Sequence, residues 1–419
     1  RFSGTEDERR AGDFMLDWYR RYGLVNIHAH PFEMLGWVRG ESRLAVAYSD
    51  GRESHPLPSL ALAGSPQAVV EAELIDAGSG APAEIEKLGE AVRGKIVLAS
   101  AEGPHRSVKY SAAQSAGAAG FIIANGMTGG SMPIGSVALH HKSTPMIAAA
   151  GISKESADYL KRRLETGRVR LLLETDCRQQ EVTARNIIAE LPGNDPAAGW
   201  IVVGGHYDGH DVAQGAQDNG TGSAVVLETA RLLAPLQPSL RAGIRFINFS
   251  GEELGLNGSF AYVRDHAESL DSIRAVFNID IIGIYPPVIL MLQESPQLAA
   301  YLKQLPVKYL DLQIKEDAFV PYSDHFAFLL RGIETLMAVS SPAPDGRGWA
   351  HTVADTVDKI ELRFLRQAAA STARTLLRMA AAPDELPAKR KPLAEVQAIL
   401  RKNGYEEIIQ QQGLFPVQE

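Results

Sequence analysis

The chain has 419 residues, 45% of them apolar and 22% charged, and carries a net charge of −8. That length allows two or more domains, and the composition is ordinary for a globular protein. The acidic balance argues against a nucleic-acid surface, no apolar run approaches the roughly 20 residues of a membrane-spanning helix, and Cys177, the single cysteine, excludes an intrachain disulfide.

Residues 6–23 read as an amphipathic helix, with Phe14, Leu16, Trp18 and Tyr19 on its apolar side and Gly23 as its stop. It has no core of its own nearby, so it is expected to pack on a later unit. A short strand at 24–30 follows, and 43–49 alternates weakly as another. From about residue 51 to 80 the chain is rich in Gly, Pro, Ser and Ala. Residues 95–99, 120–124 and 145–149 then read as short buried strands, 109–117 and 154–164 as helices, and 168–175 as a closing strand.

After Asp176 the pattern becomes longer and more regular. Strands are predicted at 182–190, 200–205, 243–249, 274–281, 288–292 and 334–340, and helices at 219–233, 254–266 and 359–380. Their alternation predicts an α/β unit with a mostly parallel mixed sheet and helices on both faces. Residues 383–392 form a charged, proline-containing linker, and 393–411 a helical tail. The expected division is an α/β domain split as 1–50 and 179–385, an inserted β-rich domain over 51–178, and a C-terminal helical tail over 386–419.

Five motifs carry metal-ligand residue types. They are Gly204-Gly205-His206-Tyr207-Asp208, Gln217-Asp218-Asn219-Gly220, Phe249-Ser250-Gly251-Glu252-Glu253-Leu254-Gly255, Asn278-Ile279-Asp280 and His351-Thr352-Val353-Ala354-Asp355-Thr356. Imidazole and carboxylate donors suit zinc, and a carboxylate can bridge two ions. His206, the Glu252–Glu253 pair and Asp280 each follow a predicted strand. In open α/β sheets ligands gather beyond the carboxyl ends of strands, so three strand ends would deliver these groups to one rim. Asp208 is a candidate acceptor for the other ring nitrogen of His206. Taken alone, Asp218 could simply cap a helix, and Glu252–Glu253 could be a solvated pair. Asp280 lies between Ile279 and Ile281, where an unpaired charge would be costly and a metal would remove the cost.

These motifs resemble the zinc-dependent aminopeptidase and glutamate-carboxypeptidase family, co-catalytic dizinc exopeptidases on a phosphorylase-like α/β fold. The resemblance covers residues 1–50 and 179–385. It implies that two zinc ions are bound, one by His206 and Asp280 and the other by Glu253 and His351, with Asp218 bridging. It further implies Glu252 as general base, Asp208 as the residue that orients His206, and a cis peptide between Asp218 and Asn219. Two divalent ions bring +4 against −3 from Asp218, Glu253 and Asp280, which favours a bound hydroxide. Tyr322, in Tyr322-Ser323-Asp324-His325, is a candidate for contact with the oxyanion or substrate, though not at the family's usual spacing. Residues 60–175 resemble an inserted protease-associated domain, through Val92-Arg93-Gly94-Lys95-Ile96-Val97-Leu98 and Ala112-Ala113-Gln114-Ser115-Ala116-Gly117.

The expected activity is that of an aminopeptidase-like exopeptidase acting on a peptide substrate. A non-catalytic, receptor-like binding protein and a single-zinc glutaminyl cyclase are the alternatives on the same scaffold. A periplasmic or secreted location is expected from the inserted domain. His28-Ala29-His30, His140-His141 and His210 lack comparable partners in sequence, although His210 is close enough to His206 to line the site. Ser250 and Ser323 lack a nucleophile-elbow frame, so serine hydrolysis is not expected.

Overall fold

The computed structural model describes residues 1–48, 54–138, 140, 145–305, 312–341, 348–384 and 386–414. The first helix spans Glu6–Tyr22. Thr5 caps it by accepting from the Glu8 N–H, acidic residues fill its first turn, and Gly23 ends it at φ 79°. Its Met15, Leu16 and Tyr19 enter one core with Ile187, Ile201, Val225 and Phe246, so it does pack on the later unit. The buried Tyr19 hydroxyl donates to Asn248 Oδ1 at 2.6 Å.

Strand β1 covers Val25–Val38, twice the length expected from sequence. Pro31 and Gly36 hid its second half. Both are tolerated because β1 is the edge of its sheet and pairs only with one neighbour. The chain then enters a second sheet made of β2 (Ser42–Ala47), β3 (His55–Leu57), β4 (Ser59–Ala61), β5 (Ala68–Asp76), β6 (Ile96–Ala99), β7 (Gly120–Ala124), β8 (Ala148–Ile152) and β9 (Arg170–Thr175). Their order is β3-β2-β9-β5-β6-β7-β8-β4. Because β2 pairs with β9, the crossing between sheets lies between Val38 and Ser42, earlier than the expected residue 50. Apolar clusters cover both faces of this sheet, one around Leu44, Leu98 and Leu173, the other around Val97, Tyr110 and Phe121.

The chain returns on β10 (Arg178–Leu191), which pairs antiparallel with β1 as far as Val38 opposite Arg178. It continues through β11 (Trp200–His206), β12 (Gly243–Phe249), β13 (Ile273–Ile279), β14 (Val288–Gln293), β15 (Leu312–Ala318) and β16 (Glu334–Ser340). Their order is β1-β10-β12-β11-β13-β16-β14-β15. Strands β12, β11, β13 and β16 run parallel, and β14 runs antiparallel to β16, giving the expected mixed sheet. Residues 201–206 are buried throughout, as a central strand covered on both faces requires. Helices Glu6–Tyr22, Thr221–Leu233 and Leu362–Ala380 cover one face, and Asn257–Asp265 and His325–Leu329 the other. The strands that follow β11 lie on opposite sides of it, which opens a crevice beyond its carboxyl end.

The tail forms two helices, Leu393–Lys402 and Glu406–Gln411. Val396, Leu400, Tyr405 and Ile409 dock them on Phe326, Leu329 and Leu330. Just before them, Lys391 forms a buried ion pair with Glu334, with Ser295 bonded to the same carboxylate. Burying that pair is tolerated because each partner neutralises the other, and the hydroxyl satisfies part of what remains.

Candidate metal centre

His206 is the last residue of β11, Glu252 and Glu253 follow β12 by one turn, and Asp280 directly follows β13. The turn after β12 needs Gly251: its φ is 72°, and a Cβ there would lie 2.9 Å from both Asn257 Cβ and Met34 Sδ. Asp218 sits in a single irregular turn, Ala216–Gly220, ahead of helix Thr221–Leu233. It therefore precedes that helix and does not begin it. The Asp218–Asn219 peptide is cis, as the family resemblance implied. Asn219 fastens this turn to the end of β13: its Nδ2 donates to Ile279 O at 2.8 Å, and its Oδ1 accepts from Ile281 N–H at 3.1 Å. His351 has φ 56°, a left-handed conformation uncommon outside glycine.

The groups converge around Asp218. Its Oδ1 is 3.1 Å from His206 Nε2, and its Oδ2 is 2.8 Å from His351 Nε2. Asp280 Oδ1 lies 3.5 Å from His206 Nε2, and Glu253 Oε2 lies 3.5 Å from His351 Nε2. Glu252 stands on the His206 side, its Oε2 3.9 Å from Nε2. Two sets of donors result, each with its ligand atoms within 4.8 Å of one another: His206, Asp218 and Asp280; and His210, Glu253 and His351. Asp218 thus offers one oxygen to each side.

Other buried groups aim these side chains. Asp208 Oδ1 lies 3.5 Å from His206 Nδ1. The same carboxylate accepts from Ser3 Oγ at 2.7 Å and from the N–H groups of Glu252 and Glu253 at 3.3 and 3.2 Å. Asp208 therefore fixes the Glu pair and faces the histidine. Ser323 donates to Asp280 Oδ2 at 2.8 Å and accepts from Asn278 Nδ2, which leaves Asp280 Oδ1 facing His206. Asp355 accepts from the N–H groups of Gln217 and Asp218 at 2.7 and 3.0 Å. Asp324, next to Ser323, is fully buried, and burial pushes its carboxyl up to about 7.

The inserted domain reaches this centre. Ile134 N–H donates to His351 O at 2.9 Å, and Pro133 forms a β-bridge with Thr352. Arg106 Nη1 is 2.6 Å from His351 Nδ1, and its Nε donates to Ser136 O. His105 stacks on Tyr322, with ring centroids 4.2 Å apart. A cleft of about 280 Å³ opens over the centre, lined by Asp218, Glu252, Glu253, His351, Arg106 and Tyr322 among others.

The donor set fits two divalent cations. Both ring nitrogens of His206 and His210, Glu253 Oε1 and Asp280 Oδ1 are buried with no hydrogen-bond partner. Orphaned polar atoms at such density are rare unless an ion satisfies them. The titration behaviour is that of carboxylates crowded together. Burial, reinforced by Glu253 and Asp280 and opposed by His206, holds Glu252 well above the ordinary range. Burial with Asp218 alongside pushes Glu253 up to about 8. Burial acts the same way on Asp218, but His351 and His206 outweigh it and hold that carboxyl well below the usual range. Burial takes His210 down to about 3, which keeps it neutral and able to act as a ligand.

His206, Asp218, Glu252, Glu253, Asp280 and His351 are brought together as sequence predicted, with Asp208 behind them and Tyr322 in the cleft wall. Sequence reasoning gave His210 too little weight, although it lies four residues from His206. It missed Arg106, Ser323 and Asp355 as participants. His30 lies elsewhere, bonded to Asp265, and His140 stacks on Phe326. His141 lies outside the described residues.

Fold and centre together are those of a mixed α/β protein with a paired-cation site beyond the carboxyl end of its central strand. Residues 186–376 match the Peptidase family M28 and residues 64–160 match the PA domain. The M28 match covers under half of the chain, and the PA-domain match lies ahead of it. It is 28% identical to a probable leucine aminopeptidase 2 of Aspergillus oryzae, over 77% of this chain and 65% of that protein. It is 26% identical to carboxypeptidase Q of Xenopus laevis, over 73% of this chain and 66% of that protein. The chain thus spans less than two thirds of the length of these curated relatives. Among solved structures it is similar to a zinc aminopeptidase from Bacillus subtilis, with 25% identity, a TM-score of 0.66 and 93% of each chain covered.

Proposed function

We propose that the chain is a zinc-dependent exopeptidase that acts as an aminopeptidase, with Glu252 as its general base. The observation that carries this reading is Asp218, whose two oxygens face two different histidines at 3.1 and 2.8 Å. His206 and Asp280 would hold one zinc ion, Glu253 and His351 the other, and Asp218 both. Bound there, the ions would supply an acidified water and a polarised carbonyl. Glu252 takes the proton from the attacking water, holds it on a carboxyl oxygen and hands it to the departing amine nitrogen. It lines the cleft where a substrate would lie, and Asp208 fixes its backbone through the 3.3 Å hydrogen bond. Tyr322, braced by His105, is the candidate for contact with the substrate carbonyl oxygen.

One observation favours a second reading, a carboxypeptidase. The Arg106 guanidinium lines the cleft beside His351, and an arginine suits a terminal carboxylate. Peptides blocked at one end separate the two. An aminopeptidase loses N-acetylated substrates and keeps C-amidated ones, and a carboxypeptidase does the reverse. Metal content is the accompanying test. Two zinc equivalents with chelator-sensitive hydrolysis of aminoacyl-anilides are expected. One equivalent would favour the cyclase reading, and none in a folded sample would favour a binding protein.

A further inference from the structure

We propose that His210 is a metal ligand, so that one side of the centre is closed by protein and the other is left open to water. The inference rests on the dizinc reading and deepens it.

His210 lies in the loop after β11 and is 3% exposed. Its Nε2 is 2.7 Å from Glu253 Oε2, yet the two are not aligned as a hydrogen bond, and neither ring nitrogen has a hydrogen-bond partner. Its ring stands 5.3 Å from that of His351 at 81°, so the two imidazoles approach Glu253 from different directions. A buried imidazole with two unsatisfied nitrogens is costly unless something accepts its lone pair. The loop is held from outside the centre: Asp211 forms a two-pronged ion pair with Arg39 at 2.7 and 2.8 Å, and Gly209 N–H donates to Arg1 O. His210 is therefore placed by contacts that do not depend on an ion.

The two sides then differ in donor count. Asp218 Oδ2, Glu253, His351 and His210 make four protein donors on one side. Asp218 Oδ1, His206 and Asp280 make three on the other. Four protein ligands close a tetrahedral zinc site, whereas three leave a position for water. The open side is the one beside Glu252, the group that must reach that water. The closed side retains its ion, and the open side exchanges.

The test uses the full-length protein loaded with zinc. An anomalous-scattering map of the wild-type crystal is expected to show two ions, with His210 Nε2 within about 2.0–2.1 Å of the one between Glu253 and His351. Chelator competition is expected to resolve two unequal affinities. In His210→Phe, the tighter of these should weaken at least about tenfold while the other is retained. Circular dichroism and a metal-free unfolding curve matching wild type establish that this variant is folded, and the wild-type map is independent of any variant. Two ions bound with His210 more than about 3 Å from both, or affinities unchanged in His210→Phe, would overturn the inference and leave the dizinc reading standing. A folded wild type that binds no zinc would overturn both.

Discussion

Replacing Asp355 by Asn isolates the link between the His351 loop and the bridging carboxylate. Asp355 is 1% exposed and accepts two backbone hydrogen bonds, from Gln217 N–H at 2.7 Å and Asp218 N–H at 3.0 Å. An asparagine oxygen can keep one of them, but its NH2 group then faces the other N–H, donor against donor. Hydrogen bonds to a charged acceptor contribute about 1.5–3 kcal/mol, and a stranded buried donor costs about 1–3 kcal/mol. One relief works the other way. Burial, with Asp218 nearby, already raises the Asp355 carboxyl, and a neutral amide removes that repulsion. The net expectation is a loss of about 2–3 kcal/mol. Urea unfolding of metal-free protein measures it without the contribution of bound ions. Zinc affinity should fall as well, because the Asp218 turn is no longer held. A change below about 0.5 kcal/mol together with wild-type zinc affinity would refute the reasoning and reduce Asp355 to a bystander.

Glu252→Gln should retain both metal equivalents and lose turnover by about 10²–10⁴-fold; a fully active variant removes Glu252 from the proton-transfer role. Glu8→Gln tests a buried acid whose carboxyl burial raises to about 8. The native state keeps a proton that the unfolded chain has already released, so wild-type stability falls as pH rises from about 4.5 through 8. The glutamine variant, which mimics the neutral acid, should gain on wild type by up to about 4 kcal/mol between pH 5 and pH 8.5, read by thermal melts; a pH-independent difference would sink the idea. Stripping the metals with a chelator should lower the melting temperature and abolish hydrolysis, both returning on zinc addition. At ligand concentrations a thousand times Kd the stabilisation is about 4 kcal/mol, and identical melts with and without zinc would count against a metal centre.

The parts of the centre legible in the sequence are those carried by strand ends. His206, Glu252, Glu253 and Asp280 each follow an apolar run whose period fixes where the strand stops. Asp218 and His351 sit in irregular backbone and were readable only because the other four were already there. His210, Ser323, Asp355 and Arg106 acquire their roles through partners 43 to 245 residues away, and no local pattern records such a meeting. Edge effects account for the misread start of the fold. Pro31 and Gly36 would break a central strand, but β1 has one neighbour and tolerates both. The domain seam was placed late because β2 alternates as weakly as a loop would, and only its pairing with β9 assigns it.

Two of the ties between the second sheet and the first lie at its stem and at the His351 loop. Its covalent stem is the β1–β10 pair, which ends at Val38 opposite Arg178. The loop between β7 and β8 is bonded to the other unit through Ile134 and His351. Because Ile134 and Pro133 pair with His351 and Thr352, this domain cannot shift without drawing on the segment that carries His351.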